Sequence, residues 1–280
     1  MRIHRWLVAA LIFWGFLLPQ SAICEEKPLW ELGAGLALLR LPDYRGSDEN
    51  RYYLLPFPYI IYRGDILRVD RERISGRIFK TDRLLLDVSI YGSVPVDSSR
   101  NSARSGMPDL DPTFEIGPSL EIKLLENKQD RYKFSANLPV RAVFAVNSSS
   151  LYREGFVFSP RLNFEKDDLI PGTGLNLGIS AGPMFATSDY HSYFYSVDPE
   201  FAIASRPAYS ASSGYSGSRV TVGLNKGYKQ LIFNAFVSLD FLQGAVFEDS
   251  PLVKTKYSVI WGFAVSWIFL KSERLVSTDR

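Results

Sequence analysis

Residues 257–269 read Tyr-Ser-Val-Ile-Trp-Gly-Phe-Ala-Val-Ser-Trp-Ile-Phe, and their character repeats every second residue. One face carries large apolar side chains, namely Val259, Trp261, Phe263, Val265, Trp267 and Phe269. The other face is small or polar apart from two isoleucines, with Ser258, Ile260, Gly262, Ala264, Ser266 and Ile268. Such a period over about a dozen residues is typical of a barrel strand whose outer face contacts lipid. The segment therefore predicts an all-β protein, a transmembrane antiparallel β-barrel of the outer membrane.

The start of the chain has the features of a secretory signal peptide. Arg2 and Arg5 precede an apolar run over residues 6–18 that is too short to span a bilayer comfortably. A small-residue zone follows, so we expect residues 1–24 to be a leader that is cleaved after Ala22 or Cys24. We expect residues 25–280 to form one barrel domain, and the single cysteine excludes a disulfide within the chain.

Charge and hydropathy exclude two further classes of protein. The chain has 32 basic and 30 acidic residues, and removal of Arg2 and Arg5 with the leader leaves 30 of each. This balance gives no support for nucleic-acid binding. The mean hydropathy is −0.04, and no apolar run of about twenty residues follows the leader, which argues against helical membrane spans.

Alternating segments recur through the mature region and predict an up-and-down barrel of about twelve strands. The clearest one begins at Thr113, where Phe114 and Ile116 alternate with Glu115 and Gly117. The predicted strands are Trp30–Leu41, Tyr52–Arg63, Ile66–Asp70, Ile74–Lys80, Leu84–Val94, the segment from Thr113, Tyr132–Val146, Gly155–Glu165, Gly174–Thr187, Tyr215–Lys226, Lys229–Leu242 and Tyr257–Phe269.

Short and long connections largely alternate along the chain. Tight turns are predicted at residues 63–65, 80–83, 127–130 and 226–228. Longer polar connections are predicted at residues 42–51, 95–112, 147–154, 188–214 and 243–255, whereas the link Arg71-Glu72-Arg73 is short where a long one is expected. Bacterial barrels place short turns in the periplasm and long loops outside, so the long set is predicted to face the medium.

Six prolines lie inside segments whose alternation is otherwise good, where each removes a donor of the strand ladder. They are Pro56, Pro58, Pro118, Pro139, Pro160 and Pro183. One interpretation is a set of bulges that bend the strands. The alternative is a weakened upper wall that opens sideways or admits a loop, which uniformly slow amide exchange around the prolines would exclude.

Several ordered motifs carry a family resemblance. Residues 42–48 read Pro-Asp-Tyr-Arg-Gly-Ser-Asp, residues 56–59 read Pro-Phe-Pro-Tyr, and residues 106–111 read Gly-Met-Pro-Asp-Leu-Asp. Together with Glu115–Pro118, Leu138–Ala142, Arg206–Tyr209 and Asp249–Val253, these motifs resemble the MipA/OmpV family over Trp30 to Phe269. The motif residues in loops are Pro42, Asp43, Tyr44, Arg45, Gly46, Asp48, Gly106, Met107, Pro108, Asp109, Asp111, Arg206, Pro207, Tyr209, Asp249, Ser250 and Pro251.

The resemblance implies an outer-membrane barrel in contact with lipid and lipopolysaccharide. In one branch of the family it also implies a scaffold that brings a murein lytic transglycosylase together with a penicillin-binding protein. Other members are described as porins or adhesins. The tail from Leu270 to Arg280 departs from the usual barrel pattern, because it leaves the terminal aromatic Phe269 inside the sequence.

The sequence offers little catalytic chemistry, so we expect no enzyme and no cofactor. His191 is the one histidine after the leader, and Ser188, Asp189 and Ser192 lie near it in the sequence. This segment reads as a Tyr-rich loop, and neighbouring residues of an extended chain point to opposite sides. Acidic loop residues suit hard cations, but aspartate is also common in turns, so we expect no metal site at Asp43, Asp48, Asp109, Asp111 or Asp249.

Alternation also points charges of both signs into the lumen. They are Glu31, Asp87, Glu115, Glu121, Lys123, Lys133, Arg141, Arg161, Glu165, Arg219 and Asp240. Charges inside a barrel must be hydrated or paired, since an isolated buried charge costs several kcal/mol. Mixed signs favour a salt-bridged plug or a narrow channel with weak ion preference over a selective pore.

Three functions remain compatible with the sequence. The first is a scaffold or binding barrel linked to murein synthesis and hydrolysis, although short periplasmic turns offer a partner little surface. The second is a channel for small solutes, because glycine and serine on inward faces leave room. The third is a surface adhesin or receptor whose contact anchors would be loop aromatics, namely Tyr190, Tyr193, Phe194, Tyr195, Tyr209 and Tyr215.

Overall fold

The computed structural model describes residues 26–64, 67–69, 74–76, 79–147 and 150–277. The predicted leader with Cys24, the residues Ile66 and Asp70, and the link Arg71–Arg73 lie outside these ranges. No helix within the described ranges has the length and apolar character needed to cross a membrane.

Antiparallel strands account for most of the described chain. They are β1 (Glu26–Pro28), β2 (Trp30–Pro42), β3 (Asn50–Arg63), β4 (Leu67–Val69), β5 (Ile74–Gly76), β6 (Phe79–Lys80), β7 (Leu84–Gly92), β8 (Thr113–Asn127), β9 (Tyr132–Val146), β10 (Leu151–Phe158), β11 (Arg161–Lys166), β12 (Leu175–Ala186), β13 (Gly214–Tyr228), β14 (Leu231–Phe241), β15 (Tyr257–Lys271) and β16 (Leu275–Ser277). One helix, α1 (Ser188–Tyr195), and two short 3₁₀ turns at Ser98–Arg100 and Pro199–Phe201 lie in the long connections.

The strands β2 to β15 form one sheet of 14 strands in which chain neighbours pair, and β15 pairs with β2. Both β10 and β11 lie between β9 and β12, so they are two halves of one wall position, separated at Ser159 and Pro160. In the same way β5 and β6 share one wall position, because β5 lies beside β7 and β6 pairs with β7. The strands therefore occupy about twelve positions, and the predicted barrel is confirmed.

The alternation that predicted the barrel is also seen in the burial of β15. Val259, Phe263 and Trp267 are exposed on the outside, whereas Ser258, Gly262 and Ser266 are buried on the inside. The same alternation holds on β8, where Phe114 and Ile116 face outward and Glu115 is buried. The outward face is apolar because in a membrane it contacts hydrocarbon rather than water.

Long and short connections lie at opposite ends of the barrel, which we call the loop end and the turn end. The segments 43–49, 93–112, 187–213 and 242–256 connect strands at the loop end. At the turn end β1 pairs with β16, with Lys27 opposite Val276. The tail after Phe269 therefore continues β15 to Lys271 and then forms a two-stranded ribbon with the start of the described chain.

Four of the prolines lie at similar heights on neighbouring strand positions. Pro139 of β9 pairs with Ser119, which follows Pro118 of β8, and on its other side it accepts a hydrogen bond from Ser159 N at 3.3 Å, next to Pro160. Across the next interface, a Cβ on Gly182 of β12 would collide with the carbonyl oxygen of Pro160. The register shifts between Pro183 and Phe185, which is a bulge. The prolines therefore interrupt the ladder in a row across this side of the wall.

Two local predictions were wrong. The segment after Thr187 was predicted as a loop, but its first eight residues form α1. The strand predicted from Gly155 begins at Leu151 and is broken at Pro160, so the preceding connection is shorter than expected. Proline explains the break, since it lacks the N–H that a continuous ladder requires.

Candidate functional site: the capped lumen

The connections at the loop end pack on one another across the barrel mouth. We call the segments 43–49, 93–112, 187–213 and 242–256 the loop cap. The aromatic rings of Tyr195 in α1 and Phe247 stack with centroids 3.6 Å apart and planes 7° apart. Both side chains are fully buried, as are Leu242 and Leu252. An apolar core of this kind excludes water and gives the cap a fixed shape.

Hydrogen bonds join cap segments that are far apart in the sequence. The Tyr44 hydroxyl donates to the Leu252 carbonyl at 2.8 Å, and the Tyr195 hydroxyl donates to the Arg45 carbonyl at 3.0 Å. In turn, Ser250 Oγ donates to the Tyr195 carbonyl at 2.7 Å. Burial raises the pKa values of Tyr44 and Tyr195 above their ordinary value, so both hydroxyls stay protonated donors. These contacts tie the segments 43–49, 187–213 and 242–256 together.

Asp43 is the centre of a second set of contacts. Its carboxylate accepts hydrogen bonds from Arg51 Nε at 2.6 Å and from Asn101 Nδ2 at 2.8 Å. Asn101 lies in the connection between β7 and β8, and Ser102 next to it donates its N–H to Glu49 Oε1 at 2.6 Å. The carboxylates of this region therefore hold loops together by charge-assisted hydrogen bonds.

Two buried arginines connect the segment 93–112 to the segment 187–213. Arg104 Nη1 donates to the Phe194 carbonyl at 3.3 Å, and burial lowers the pKa of its guanidinium. Arg206 Nη1 donates to the carbonyls of Ala103 and Ser105 at 3.0 and 2.9 Å. A guanidinium presents several donors in a fixed plane, which suits it to collecting backbone carbonyls from two loops.

His191 is fully buried in the cap and bridges α1 to the start of β13. Its Nδ1 lies 2.6 Å from the Ser212 carbonyl, and its Nε2 contacts Ser216 Oγ. Burial lowers the pKa of His191, which favours the neutral ring. Ser216 is also fully buried, so neither partner can reach a substrate. Ser188 and Ser192, the serines nearest in sequence, are not the hydroxyl partners of this histidine.

Directly beneath the cap, charged side chains form a network across the lumen. Arg219 of β13 binds Asp240 of β14 through two hydrogen bonds of 2.8 and 2.6 Å, and Arg45 of the cap reaches the same carboxylate at 3.3 Å. Arg219 Nη1 also donates to the hydroxyl of Tyr91 on β7 at 3.0 Å. Because β7 and β13 lie on opposite walls, this contact spans the barrel.

The network continues to the far wall through Arg141. Its guanidinium lies 5.6 Å from the centroid of the Tyr91 ring, and its Nε donates to Glu115 Oε2 at 2.8 Å. Arg141 and Glu115 are both buried. We call Arg45, Tyr91, Glu115, Arg141, Arg219 and Asp240 the cross-lumen network. It brings charges of both signs into contact, which is the plug-like arrangement that mixed lumen charges favour.

Nearer the turn end, the lumen is more open. Lys133 Nζ lies 3.0 Å from Glu121 and 3.4 Å from Glu165, and the Glu165 side chain is 51% exposed. Arg161 is also exposed on the inward side of β11. Glu31 binds Arg63 at 3.0 Å and Lys123 binds Glu126 at 2.7 Å. Because these polar side chains are accessible inside the wall, we expect this part of the lumen to be hydrated.

The inward charges predicted from alternation all lie on strands of the barrel wall. The structure joins nine of them into the pairs or networks described above, buries Asp87 on β7 and leaves Arg161 exposed. The loop residues of the family motifs lie in or beside the loop cap, where Pro108 accepts from Ser98 Oγ at 2.7 Å and Tyr209 donates to the Val246 carbonyl at 3.3 Å. Their contacts are within the protein, so they assemble the cap.

The proposed adhesin anchors are not free contact residues. Tyr190, Phe194 and Tyr195 are buried in the cap core, and Tyr193 and Tyr209 pack against it. For these five residues the expectation of an exposed anchor surface is therefore wrong, because their rings lie in or against the core of the cap. Over the described part of the chain, no group of three or more His, Cys, Asp or Glu side chains is arranged to hold a metal ion.

Sequence reasoning missed Tyr91, Asn101, Arg104 and Phe247. Tyr91 follows the inward alternation of β7 and could have been listed with the lumen residues. Asn101, Arg104 and Phe247 lie in irregular segments, where no periodic pattern shows which way a side chain points.

The sequence of this chain is similar to those of known outer membrane proteins. A family model described as MltA-interacting protein MipA matches residues 34–269. Outer membrane protein Omp26La of Vibrio anguillarum is 22% identical over 231 residues, which cover 80% of this chain and 81% of that protein. Outer membrane protein OmpV of Vibrio cholerae serotype O1 shows the same identity and the same coverage.

Among solved structures, two proteins from Pseudomonas putida match this chain. One is an outer membrane channel from strain F1, with a TM-score of 0.44, 11% identity, and coverage of 90% of this chain and all of that chain. The other is the toluene transporter TodX, with a TM-score of 0.30, 10% identity, and coverage of 88% of this chain and 68% of that chain.

Proposed function

The chain belongs to the MipA family and lies in the outer membrane of a Gram-negative bacterium, and we propose that it is a closed binding barrel rather than an open pore. Its loop end faces the medium and its turn end faces the periplasm, as is usual for such barrels. At the turn end it binds a murein lytic transglycosylase and, through it, a penicillin-binding protein. The family name MltA-interacting protein supports the first partner.

The observation that carries the proposal is the loop cap. Its buried aromatic core and the cross-lumen network beneath it close the side that faces the medium. A barrel closed in this way has no continuous route for solutes. The functional surface is then the periplasmic one, where both ends of the described chain meet in the β1–β16 ribbon.

Exposed apolar side chains lie at the turn end, and two of them suit contact with a partner. Ile170, in the connection from β11 to β12, is 56% exposed, and Leu275 on the ribbon is 51% exposed. Asp168 fixes the first connection, because its carboxylate accepts hydrogen bonds from the N–H groups of Gly172 and Gly174 at 2.8 Å each. A stable interface buries about 800 Å² per partner, so a partner that engages this end needs both positions and the ribbon.

Site-specific photo-crosslinking in intact cells tests the proposal. We would place benzoylphenylalanine at Ile170 or Leu275, and at Ile203 as a matched control, since Ile203 is an equally exposed isoleucine in the loop cap. The expected result is a crosslinked lytic transglycosylase from the first two positions and none from Ile203. Recovery of no murein enzyme from either turn-end position in a folded barrel would refute the scaffold function.

A solute channel is a second candidate, and the exposure of Arg161 and Glu165 inside the wall favours it. In this function the part of the lumen near the turn end is a vestibule. The loop cap and the cross-lumen network together form the gate. We assign no catalytic role to the His191–Ser216 pair, which is sealed in the cap. Replacement of His191 by Ala should leave lipid processing in the outer membrane unchanged.

A further inference from the structure

Arg40 is a charged residue on the outward face of β2. The outward residues that precede it on this strand are Ala34, Leu36 and Leu38, which are exposed and apolar. Arg40 continues this row and lies two residues before Pro42, where the strand ends at the loop end. A cation on the lipid-facing side of a barrel is costly at the midplane of the bilayer and much less so at the interface. Arg40 therefore marks the border between the apolar band and the headgroup layer.

Two aromatic side chains lie beside Arg40 on the outer surface. The residues opposite it on the neighbouring strands are Tyr52 of β3 and Trp261 of β15. The rings of Tyr52 and Trp261 meet edge to face, with centroids 6.1 Å apart, although their two strands are separated by β2. Residues directly opposite each other in a ladder have Cβ atoms about 5 Å apart, so the three side chains are in one place. We call Arg40, Tyr52 and Trp261 the outer patch.

The guanidinium of Arg40 is directed toward the loop end. Its Nη1 donates to the Val259 carbonyl at 3.0 Å, and Val259 precedes Trp261 by two residues on the side nearer the cap. The register of β2 and β15 places Val259 opposite Pro42, which has no N–H to donate to that carbonyl. The apolar stem of Arg40 thus lies along the wall while its charged group reaches the interface, as is usual for long basic side chains.

The outer patch has hydrogen-bond donors that the described part of the chain does not use. A guanidinium has five N–H donors, and the one contact of Arg40 found among the described residues is the bond to a main-chain carbonyl, with no carboxylate beside it. Neither the Tyr52 hydroxyl nor the Trp261 indole N–H meets an acceptor in the same ranges. By contrast, the indole N–H of Trp267 on the same face donates to Gln230 Oε1 at 3.1 Å. An unpaired cation with two neutral donors beside it suits an anion.

We propose that the outer patch binds a phosphate group of lipopolysaccharide, the phosphorylated glycolipid of the outer leaflet. The proposal rests on the orientation proposed above, in which the loop end faces the medium. Phosphate is the anion that this glycolipid presents at the interface, and a guanidinium binds it through two parallel hydrogen bonds. Toward the midplane, the outward side chains of Leu38, Leu54 and Phe263 are exposed and apolar, so they contact the acyl chains of the same lipid.

Native mass spectrometry of the refolded barrel in detergent tests the outer patch. The probe is bisphosphorylated lipid A, and the comparison probe is the same lipid after removal of both phosphates. Arg40→Gln keeps an N–H donor for the Val259 carbonyl, and Trp261→Phe keeps the ring but removes the indole N–H. The matched control is Lys226→Gln, because Lys226 is an exposed outward cation of β13 at the turn end. The heat-modifiable shift in gel mobility verifies that each variant is folded.

We expect the dissociation constant of lipid A to rise about tenfold in Arg40→Gln, because a charge-assisted pair of hydrogen bonds is lost. In Trp261→Phe it should rise about threefold, because one neutral donor is lost. Lys226→Gln should bind as the wild type does, and removal of the phosphates should weaken binding to the wild type at least as much as Arg40→Gln does.

Three results would overturn the proposal. The first is equal binding of lipid A with and without its phosphates by the wild type. The second is an equal loss of affinity in Arg40→Gln and Lys226→Gln, because net charge and not a site would then explain it. The third is binding of phosphatidylglycerol as tight as that of lipid A, because the patch would then serve phospholipid. None of these results depends on whether the turn end binds a murein enzyme.

Discussion

Asp240 is the residue at which the loop cap and the barrel wall meet. Its side chain is fully buried and binds Arg219 of β13 and Arg45 of the cap. Removal of one partner from a buried ion pair is strongly destabilising, because it leaves the other charge uncompensated. Sequence alternation predicted that Asp240 and Arg219 point inward. It could not predict Arg45 as a partner, because that residue comes from a loop 195 positions away.

Replacement of Asp240 by Asn should lower the free energy of unfolding by about 3–5 kcal/mol, since two guanidinium groups lose their counter-ion. Urea unfolding of the refolded barrel, followed by heat-modifiable mobility, measures the change. The control is Glu248→Gln, the same chemical change in an exposed pair with Lys256 at 3.4 Å. It should cost at most about 1 kcal/mol. Equal effects of the two substitutions would contradict the importance given to the network.

Acid should loosen the cap through His191. Burial lowers the pKa of this ring below its ordinary value of 6.5, and the hydrogen bond to Ser212 opposes that effect only in part. The folded state then binds the proton less readily than the unfolded state, so the contribution to stability is complete above about pH 6.5 and is lost as the pH falls. Amide exchange of residues 190–195, corrected for intrinsic rates, should quicken in that range.

The control for this effect is His191→Gln, which keeps an uncharged polar side chain at the same place. Exchange of residues 190–195 in that variant should lose most of the additional acceleration below pH 6.5. A variant that accelerates as strongly as the wild type would show that another group is responsible.

At the scale of elements, the strands could be predicted well and the cap could not. A strand between lipid and lumen has two chemically different faces, so alternation alone marks β8 and β15. The helix α1 was missed, although its buried residues Tyr190, His191, Phe194 and Tyr195 have the spacing of a helix face. This helix lies in a segment that the sequence predicts to be a loop, and it has no face toward lipid. The sequence pattern therefore favours an interpretation of its aromatic residues as surface contacts.

The helix should be the element on which the cap depends. Tyr195→Ala removes the ring that stacks on Phe247 and should cost about 3–5 kcal/mol of cap stability, as is typical for a buried aromatic residue. Limited proteolysis within residues 196–213 reports the opening. Ile203→Ala, which truncates an exposed side chain of the same cap, should leave the cleavage rate almost unchanged. Similar cleavage of both variants would mean that the aromatic core does not hold the cap.

At the scale of the whole molecule, the barrel presents three different surfaces. The outward face is apolar, the loop end carries the cap, and the turn end carries the β1–β16 ribbon. Composition and alternation are sufficient to predict the wall, because each strand repeats the same local pattern. Closure of the loop end depends on contacts such as Tyr44 with Leu252, which are 208 residues apart, and no local pattern encodes such a contact.

Single-channel recording in planar bilayers tests the closed lumen most directly. The refolded wild-type barrel should be silent or show rare brief openings, whereas Tyr195→Ala with Phe247→Ala should give frequent openings, because both rings of the cap core are lost. Steady stepwise currents from the wild-type protein at moderate voltage would contradict the closed lumen and make this protein an open channel.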